Sequence, residues 1–335
     1  MRRALALTAA LFVMFPGTAA AQDLQFGEVC TPTDPGLSEL SGTTELGGFL
    51  YGMGDSGADD RVAEMDPSTC AVVRWIPNPV DPYDVEDLSH YGNSLWLADI
   101  GDNDSIRSTV ALTRLDPADG AGELHRLAYP DGPHDAETLL VGRDAIPVIV
   151  TKVPSGVSGI YSAGVPVDQL ASPGPTALMR VGDVTLAATS TTGGPPLIQG
   201  SLLVTGGAVS ADGTVVALRT YTDLYLYWAP DGNVVSALMS GPTKQVPLPA
   251  QPQGESLAFT ENGDLLFGSE EGFTPTTTLP PIGVLRGATA VAAPAKPVAD
   301  EQQSSLPTVV WVLVAGGVVA LVILGSAVLA VKRRR

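Results

Sequence analysis

The sequence predicts an all-β domain, a β-propeller of five or six blades, with a signal peptide before it and one transmembrane helix after it. Three observations carry this reading. A carboxylate-bearing segment followed by a short apolar strand recurs at intervals of about fifty residues. Turn residues separate the strands, and helical periodicity is nearly missing. Each end of the chain is an apolar run flanked by basic residues.

The recurring unit first stands as Leu37-Ser-Glu-Leu-Ser-Gly, then Phe49-Leu-Tyr-Gly-Met-Gly-Asp55. It returns as Asp84-Val-Glu86-Asp-Leu with Leu95-Trp-Leu-Ala-Asp99, and as Asp135-Ala-Glu137-Thr-Leu with Val148-Ile-Val-Thr-Lys152. The last two are Thr205-Gly-Gly-Ala-Val-Ser with Val215-Val-Ala-Leu-Arg219-Thr-Tyr221, and Gln253-Gly-Glu255-Ser-Leu with Leu265-Leu-Phe-Gly-Ser-Glu270. Repeats of this length mean stacked or radially arranged units. Strand-rich, turn-punctuated units point to a propeller. Asp131-Gly, Asp212-Gly, Asp231-Gly and Asn262-Gly are strong turn signals. The anchors fall near residues 39, 86, 137, 207 and 255, spaced by about 47, 51, 70 and 48. The long interval, through Pro173 to Gly200, holds either a degenerate blade or a long loop between blades. Residues 22–36 are expected to complete the last blade and close the ring.

Taken in order, residues 1–21 read as a signal peptide. Met1-Arg-Arg is the basic region, Ala4 to Phe15 the apolar one, and Thr18-Ala-Ala-Ala21 the cleavage site. Residues 22–286 form the propeller. Residues 287–307, rich in Ala, Pro, Gln and Ser, read as a flexible spacer. Residues 308–331 read as the transmembrane helix, because Val309 to Val331 carries no charge and spans a core of ~30 Å. Residues 332–335, Lys-Arg-Arg-Arg, form a basic tail that keeps the C-terminus cytoplasmic. The expected location is the plasma membrane, with a single pass and the propeller outside. Leu306-Pro-Thr lacks the Thr-Gly of a cell-wall sorting signal, so covalent wall attachment is excluded.

The chain has 18 basic and 36 acidic residues. Six of the basic ones lie in the signal and the tail, leaving 12 against 36, a charge of −24, for the exported part. This disfavours nucleic acid and anionic lipid as partners and suits cation binding. Cys30 and Cys70 are the only cysteines. Outside the cytoplasm two cysteines most simply form one disulfide.

Glu86, Glu137 and Glu255 occupy equivalent places if the repeats are in register. Asp55, Asp99, Lys152, Arg219 and Glu270 form a second set at the end of the following strand, with Tyr221 beside it. Both sets are expected to face the propeller axis. Charges inside apolar strands must be paired, and the carboxylates supply partners for Lys152 and Arg219. One reading is mutual neutralisation. The other is a polar site in which carboxylates hold a hard cation and the two basic residues face an anionic ligand. Ca²⁺ suits such oxygen donors, and Asp99-Ile-Gly-Asp102-Asn103-Asp104 is the densest candidate loop. Its bland alternative is an exposed acidic turn.

Other chemistries are not supported. Gly54-Asp-Ser-Gly57 is similar to a serine-protease nucleophile segment, but no histidine precedes it. Histidines 90, 125 and 134 are scattered, so neither zinc nor haem is expected. No phosphate-binding loop is present, so no nucleotide is expected.

Five segments resemble those of a set of exported bacterial β-propeller proteins: Asp84–Leu88, Asp99–Asn103, Tyr129–Glu137, Leu218–Asp223 and Pro252–Ser256. The resemblance spans about residues 35–272. More distantly, the Glu-containing inner strands are similar to phytase-like propellers, which use Ca²⁺ and basic residues on phosphate esters. Two functions follow as expectations. The first is a membrane-tethered binding module for an extracytoplasmic ligand or protein, its acidic funnel taking Ca²⁺. The second is a Ca²⁺-dependent phosphoric ester hydrolase, with Glu86, Glu137 and Glu255 holding metal and Lys152 and Arg219 as catalytic candidates.

Overall fold

The computed structural model describes residues 24–55, 59–274 and 276–294. The expected signal peptide, transmembrane helix and basic tail, and most of the spacer, lie outside them. No helix among the described residues is long and apolar enough to cross a membrane.

The described residues form a five-bladed β-propeller. The chain enters through β1 (Gln25–Cys30). Blade one is β2 (Leu40–Leu46), β3 (Phe49–Gly54), β4 (Arg61–Met65) and β5 (Val72–Pro77). Blade two is β6 (Val85–Tyr91), β7 (Ser94–Asp99), β8 (Val110–Leu115) and β9 (Gly122–Ala128). Blade three is β10 (Ala136–Val141), β11 (Pro147–Thr151), β12 (Val157–Ser162) and, after the two-residue β13 (Thr176–Ala177), β14 (Met179–Thr185). Blade four is β15 (Val204–Val209), β16 (Val215–Thr220), β17 (Asp223–Trp228) and β18 (Lys244–Pro247). Blade five is β19 (Gln253–Phe259), β20 (Leu265–Glu270) and β21 (Ile282–Arg286), completed by β1.

Strands within a blade pair antiparallel; β13 instead adds to β9 in parallel, on the edge of blade two. The long interval between the third and fourth anchors is therefore a loop and not a sixth blade. The first strand of each blade is innermost, and β2, β6, β10, β15 and β19 neighbour one another in a closed ring. Five apolar clusters fill the structure, one at each interface between neighbouring blades. This explains the near-continuous apolar runs such as Val148-Ile-Val: a middle strand is covered on both faces.

β1 lies against β21 and closes the ring. Cys30, at its end, is bonded to Cys70 in the turn between β4 and β5, with a Cα–Cα distance of 5.6 Å. The bridge ties the last blade to the first. The domain also runs further than 286. A short helix, Ala288–Ala292, follows β21 and buries Ala288 and Ala292 against blades four and five. Its start is anchored by the Thr289 N–H donating to the Gly263 carbonyl. Residues 288–292, expected in the spacer, thus belong to the domain, because small alanine side chains let the helix dock.

Replacing Cys30 and Cys70 together by serine opens a loop of 40 residues. The chain-entropy model puts the loss at ~3–4 kcal/mol. For a domain of this size the melting temperature is expected to fall by roughly 6–15 °C, measured by calorimetry against the oxidised parent.

Candidate functional site

Every innermost strand carries a β-bulge near its start. The register shifts between Leu40 and Gly42, Val85 and Asp87, Ala136 and Thr138, Val204 and Gly206, and Gly254 and Leu257. A bulge inserts an extra residue and re-aims its side chain. The inserted residues are Ser41, Glu86, Glu137 and Thr205, with Glu255 in the last strand. These five positions ring one end of the axis, three with carboxylates and two with hydroxyls. Glu86, Glu137 and Glu255 are thus equivalent. The partners in the other two blades are Ser41 and Thr205, two residues away from the sequence anchors at 39 and 207. The hydroxyls stitch blades together. Ser41 donates to the Glu86 carbonyl at 2.5 Å, and Thr205 to the Gly254 carbonyl at 2.9 Å.

The second set is only partly in register. The ladder partners of Leu40, Val85, Ala136, Val204 and Gly254 are Gly54, Asp99, Thr151, Thr220 and Ser269. The next residue along is Asp55, Ile100, Lys152, Tyr221 and Glu270. Asp99 is therefore one residue short of this position and Arg219 two. Side chains alternate along a strand, so the one-residue offset turns Asp99 to the other face; the two-residue offset of Arg219 instead sets it back along the strand from the funnel end.

Asp99 faces its own loop. Its carboxylate accepts the Tyr83 and Asp84 N–H groups and pairs with Arg107 at 2.7 Å. Asp102 accepts the Ile106 and Arg107 N–H groups at 2.9 Å. Both carboxylates are buried and shape the turn, rather than standing on an exposed acidic turn. Asn103 does reach the funnel wall.

Arg219 runs between blades four and five at 0% exposure. Its guanidinium donates to the Ser256 and Gly268 carbonyls and to Gln251 Oε1, and its Nε to the Thr220 carbonyl. Burial lowers its pKa to about 9. Gly254 makes room for it: a Cβ there would lie 1.9 Å from the guanidinium. Arg219 is a lock between blades, not a group facing the funnel.

A cavity of about 280 Å³ occupies the funnel. Asp55, Glu86, Glu137, Lys152, Tyr221, Gln253 and Glu255 line its walls, and Pro195, Pro196, Ile198 and Phe273 its mouth. Lys152 pairs with Glu137, and its ammonium stands 5.6 Å from the centre of the Tyr221 ring. Glu270 accepts from the Gln253 side-chain amide. Oxygens of Glu39, Asp55 and Glu270 all lie within 4.8 Å of one another. Glu137 Oε2 is buried with no hydrogen-bond partner, whereas Glu270 shares a hydrogen bond with the Glu255 carboxylate.

Six carboxylates thus share the funnel with one lysine. Burial and then the Glu255 carboxylate push Glu270 up to about 12. Glu86 is raised as well, by burial first and then by Glu255 and Asp84. Burial and the Asp135 charge bring Asp84 to about 6. Without a cation, burial and the neighbouring charges favour a proton on Glu270 at neutral pH.

Glu39 was not singled out from the sequence as a site residue, nor were two further buried acids with a role here. Asp87, next to Glu86, is fully buried and accepts the Leu88 and Leu139 N–H groups, the latter from blade three. Burial raises it to about 8. Asp223, also fully buried, accepts the Thr189, Thr191 and Thr222 hydroxyls and the Gln245 amide. Those bonds, and the Gly194 N–H donated to the Gln251 carbonyl, hold the long loop over the funnel mouth. The Leu218–Asp223 segment thereby supplies a blade lock, a funnel aromatic and a loop anchor.

No protein-family model matches the chain, and no curated protein matches it. Solved structures do. The Kuenenia stuttgartiensis hydrazine synthase is 11% identical, with a TM-score of 0.36 over 73% of this chain and 59% of that one. This chain therefore spans less than two thirds of that protein. A catalytically inactive virginiamycin B lyase from Staphylococcus aureus, with quinupristin, is 9% identical, with a TM-score of 0.37 over 73% and 82%. The Cps50 (Swd1) β-propeller domain of Myceliophteria thermophila is 13% identical, with a TM-score of 0.35 over 73% and 82%. What those proteins bind or transform says nothing of this chain.

The raised carboxylates give stability a definite pH dependence. A group whose folded pKa lies above its unfolded value binds more protons when folded, so stability falls as pH rises between the two values. For Asp84, Asp87 and Glu270 those windows open near the ordinary carboxylate value and close near about 6, 8 and 12. In metal-free buffer the melting temperature is expected to fall from pH 5 to pH 8. Glu270→Gln should flatten that slope, read by thermal melts across the range. Arg219→Met should lower the melting temperature at every pH, because four acceptors lose their donor.

Proposed function

We propose that this chain is a binding propeller whose axial funnel holds a hard divalent cation, Ca²⁺ in particular, and presents it with the surrounding wall to an extracytoplasmic ligand. The excess of buried carboxylates over bases carries the reading. A buried charge needs an opposite partner. One lysine does not balance six carboxylates, four of them buried and two half-buried, and Glu137 keeps a buried oxygen with no hydrogen-bond partner.

The donor set favours a hard cation. It consists of carboxylate oxygens, with no cysteine or histidine among the residues that line the cavity or cluster at its floor. Ca²⁺ takes six to eight oxygens at ~2.3–2.6 Å, so donors up to ~5 Å apart share one ion. Glu39, Asp55 and Glu270 meet that condition. Glu86, Glu137 and Glu255 supply the charge around them. The ester-hydrolase alternative has less support. Its anionic substrate needs free basic groups, yet Arg219 is enclosed between blades and Lys152 is engaged by Glu137.

The same proposal places the propeller outside the cell, tethered by one membrane span. The support is the uncharged run Val309 to Val331, its basic tail, the apolar N-terminal segment and the disulfide.

The test is calorimetry of Ca²⁺ binding to the purified full-length chain, alongside its thermal melt. At a hundredfold excess over Kd the ion should stabilise by about 2.7 kcal/mol, a rise of roughly 5–10 °C. Binding should be lost in Glu270→Gln and weakened at least tenfold in Glu86→Ala or Glu137→Ala. No heat and no change in melting temperature sinks the metal reading.

A further inference from the structure

The funnel mouth is apolar where its interior is acidic. Leu197 is 104% exposed, Phe273 76% and Ile198 47%. Ile198 and Phe273 line the cavity entrance with Pro195 and Pro196. The loop is built to hold this surface out. Leu197 has a φ of 72°, in the left-handed region that a leucine rarely adopts. Its neighbours are tied down by the Thr189 and Thr191 hydroxyls on Asp223 and by the Gly194 N–H on the Gln251 carbonyl. Large apolar side chains exposed at a cavity mouth mark an interaction site.

We infer that the mouth is a docking site for a partner protein segment that inserts one lysine or arginine side chain into the funnel and packs apolar neighbours on Leu197, Ile198 and Phe273. This rests on the binding reading above and names the class of partner.

Charge complementarity selects the inserted group. With one divalent ion and Lys152 counted, the six funnel carboxylates stay net negative even with a proton retained on Glu86. Lys152 shows how these walls treat a cation: its ammonium is held between the Glu137 carboxylate and the Tyr221 ring. A second ammonium or a guanidinium finds the same chemistry on Glu86 and Glu255, and cations bind aromatic faces.

The cavity holds about 280 Å³, at the lower edge of the ~300–1,000 Å³ of drug-sized pockets, and opens onto the apolar rim. An occupant that fills it and also touches the rim must continue outward, as a side chain on a backbone does. An anionic lipid surface fits poorly, because the exported part carries 12 basic against 36 acidic residues.

The test is selection of a random heptapeptide display library on the purified full-length chain, once with Ca²⁺ and once with chelator. Peptides carrying Lys or Arg beside an apolar residue should be enriched. Replacing that Lys or Arg by Gln in a selected peptide should weaken binding at least tenfold. The variant Leu197→Ser with Ile198→Ser and Phe273→Ser should do the same; all three residues are exposed, so the fold is preserved. Lack of basic enrichment, or unchanged affinity in the rim variant, overturns the inference. So does enrichment of acidic peptides that depends on Ca²⁺, which would make the ion itself the docking group. The metal reading is judged separately by calorimetry: basic enrichment without Ca²⁺ binding leaves docking standing alone, and Ca²⁺ binding without basic enrichment removes docking only.

Discussion

Closure of the ring is the constraint on which everything else depends. A propeller has no stable shape until its last blade meets its first. Here the N-terminal strand β1 adds to β21, and the Cys30–Cys70 bridge fastens that blade to the turn of its neighbour. Closure buries both faces of every blade and leaves one apolar cluster at each interface. It also fixes a single axis. Once the axis is fixed, the five inner strands have no freedom to spread, and whatever their bulges carry is forced together.

What the bulges carry is unfavourable by itself. Three glutamates from three blades meet at one end, joined by Glu39, Asp55 and Glu270. Burial and mutual repulsion push protons onto Glu270 and Glu86. Stability held by a proton is a poor use of so many charged groups. A cation that displaces the proton turns the same repulsion into binding energy. Strain of this kind concentrates where function is. The neighbouring acids behave differently: Asp87 and Asp223 are as deeply buried but fully engaged with N–H and hydroxyl donors. Burial alone therefore does not mark a site; the crowding of carboxylates around one lysine sets the funnel apart.

Much of this was legible in the chain. The Val-Glu-Asp, Ala-Glu-Thr and Gly-Glu-Ser segments announce equivalent inner-strand positions because a carboxylate at a fixed offset before an apolar strand repeats. Ser41 and Thr205 were not legible, since hydroxyls give no charge signal and the bulge that aligns them is a property of pairing. Arg219 was misplaced for a related reason. Its strand reads Val-Ala-Leu-Arg-Thr-Tyr, and nothing local says whether the arginine or the tyrosine two residues on reaches the axis. The ladder decides: Val204 pairs with Thr220, so Tyr221 takes the funnel and Arg219 turns into the gap above Gly254.

The sequence by itself determined the blade pattern, the acidic excess, the pairing of its two cysteines and the strand that closes the ring. Each of these depends on spacing or composition along the chain. Only the tertiary structure decided which charges share the funnel, which basic residue is spent as a blade lock, and that a proline-rich loop stands over the mouth. Those outcomes follow from contacts between residues tens of positions apart, such as Thr189 with Asp223 and Arg219 with Gly268. No local pattern encodes such contacts, because they exist only after the blades have closed around one axis.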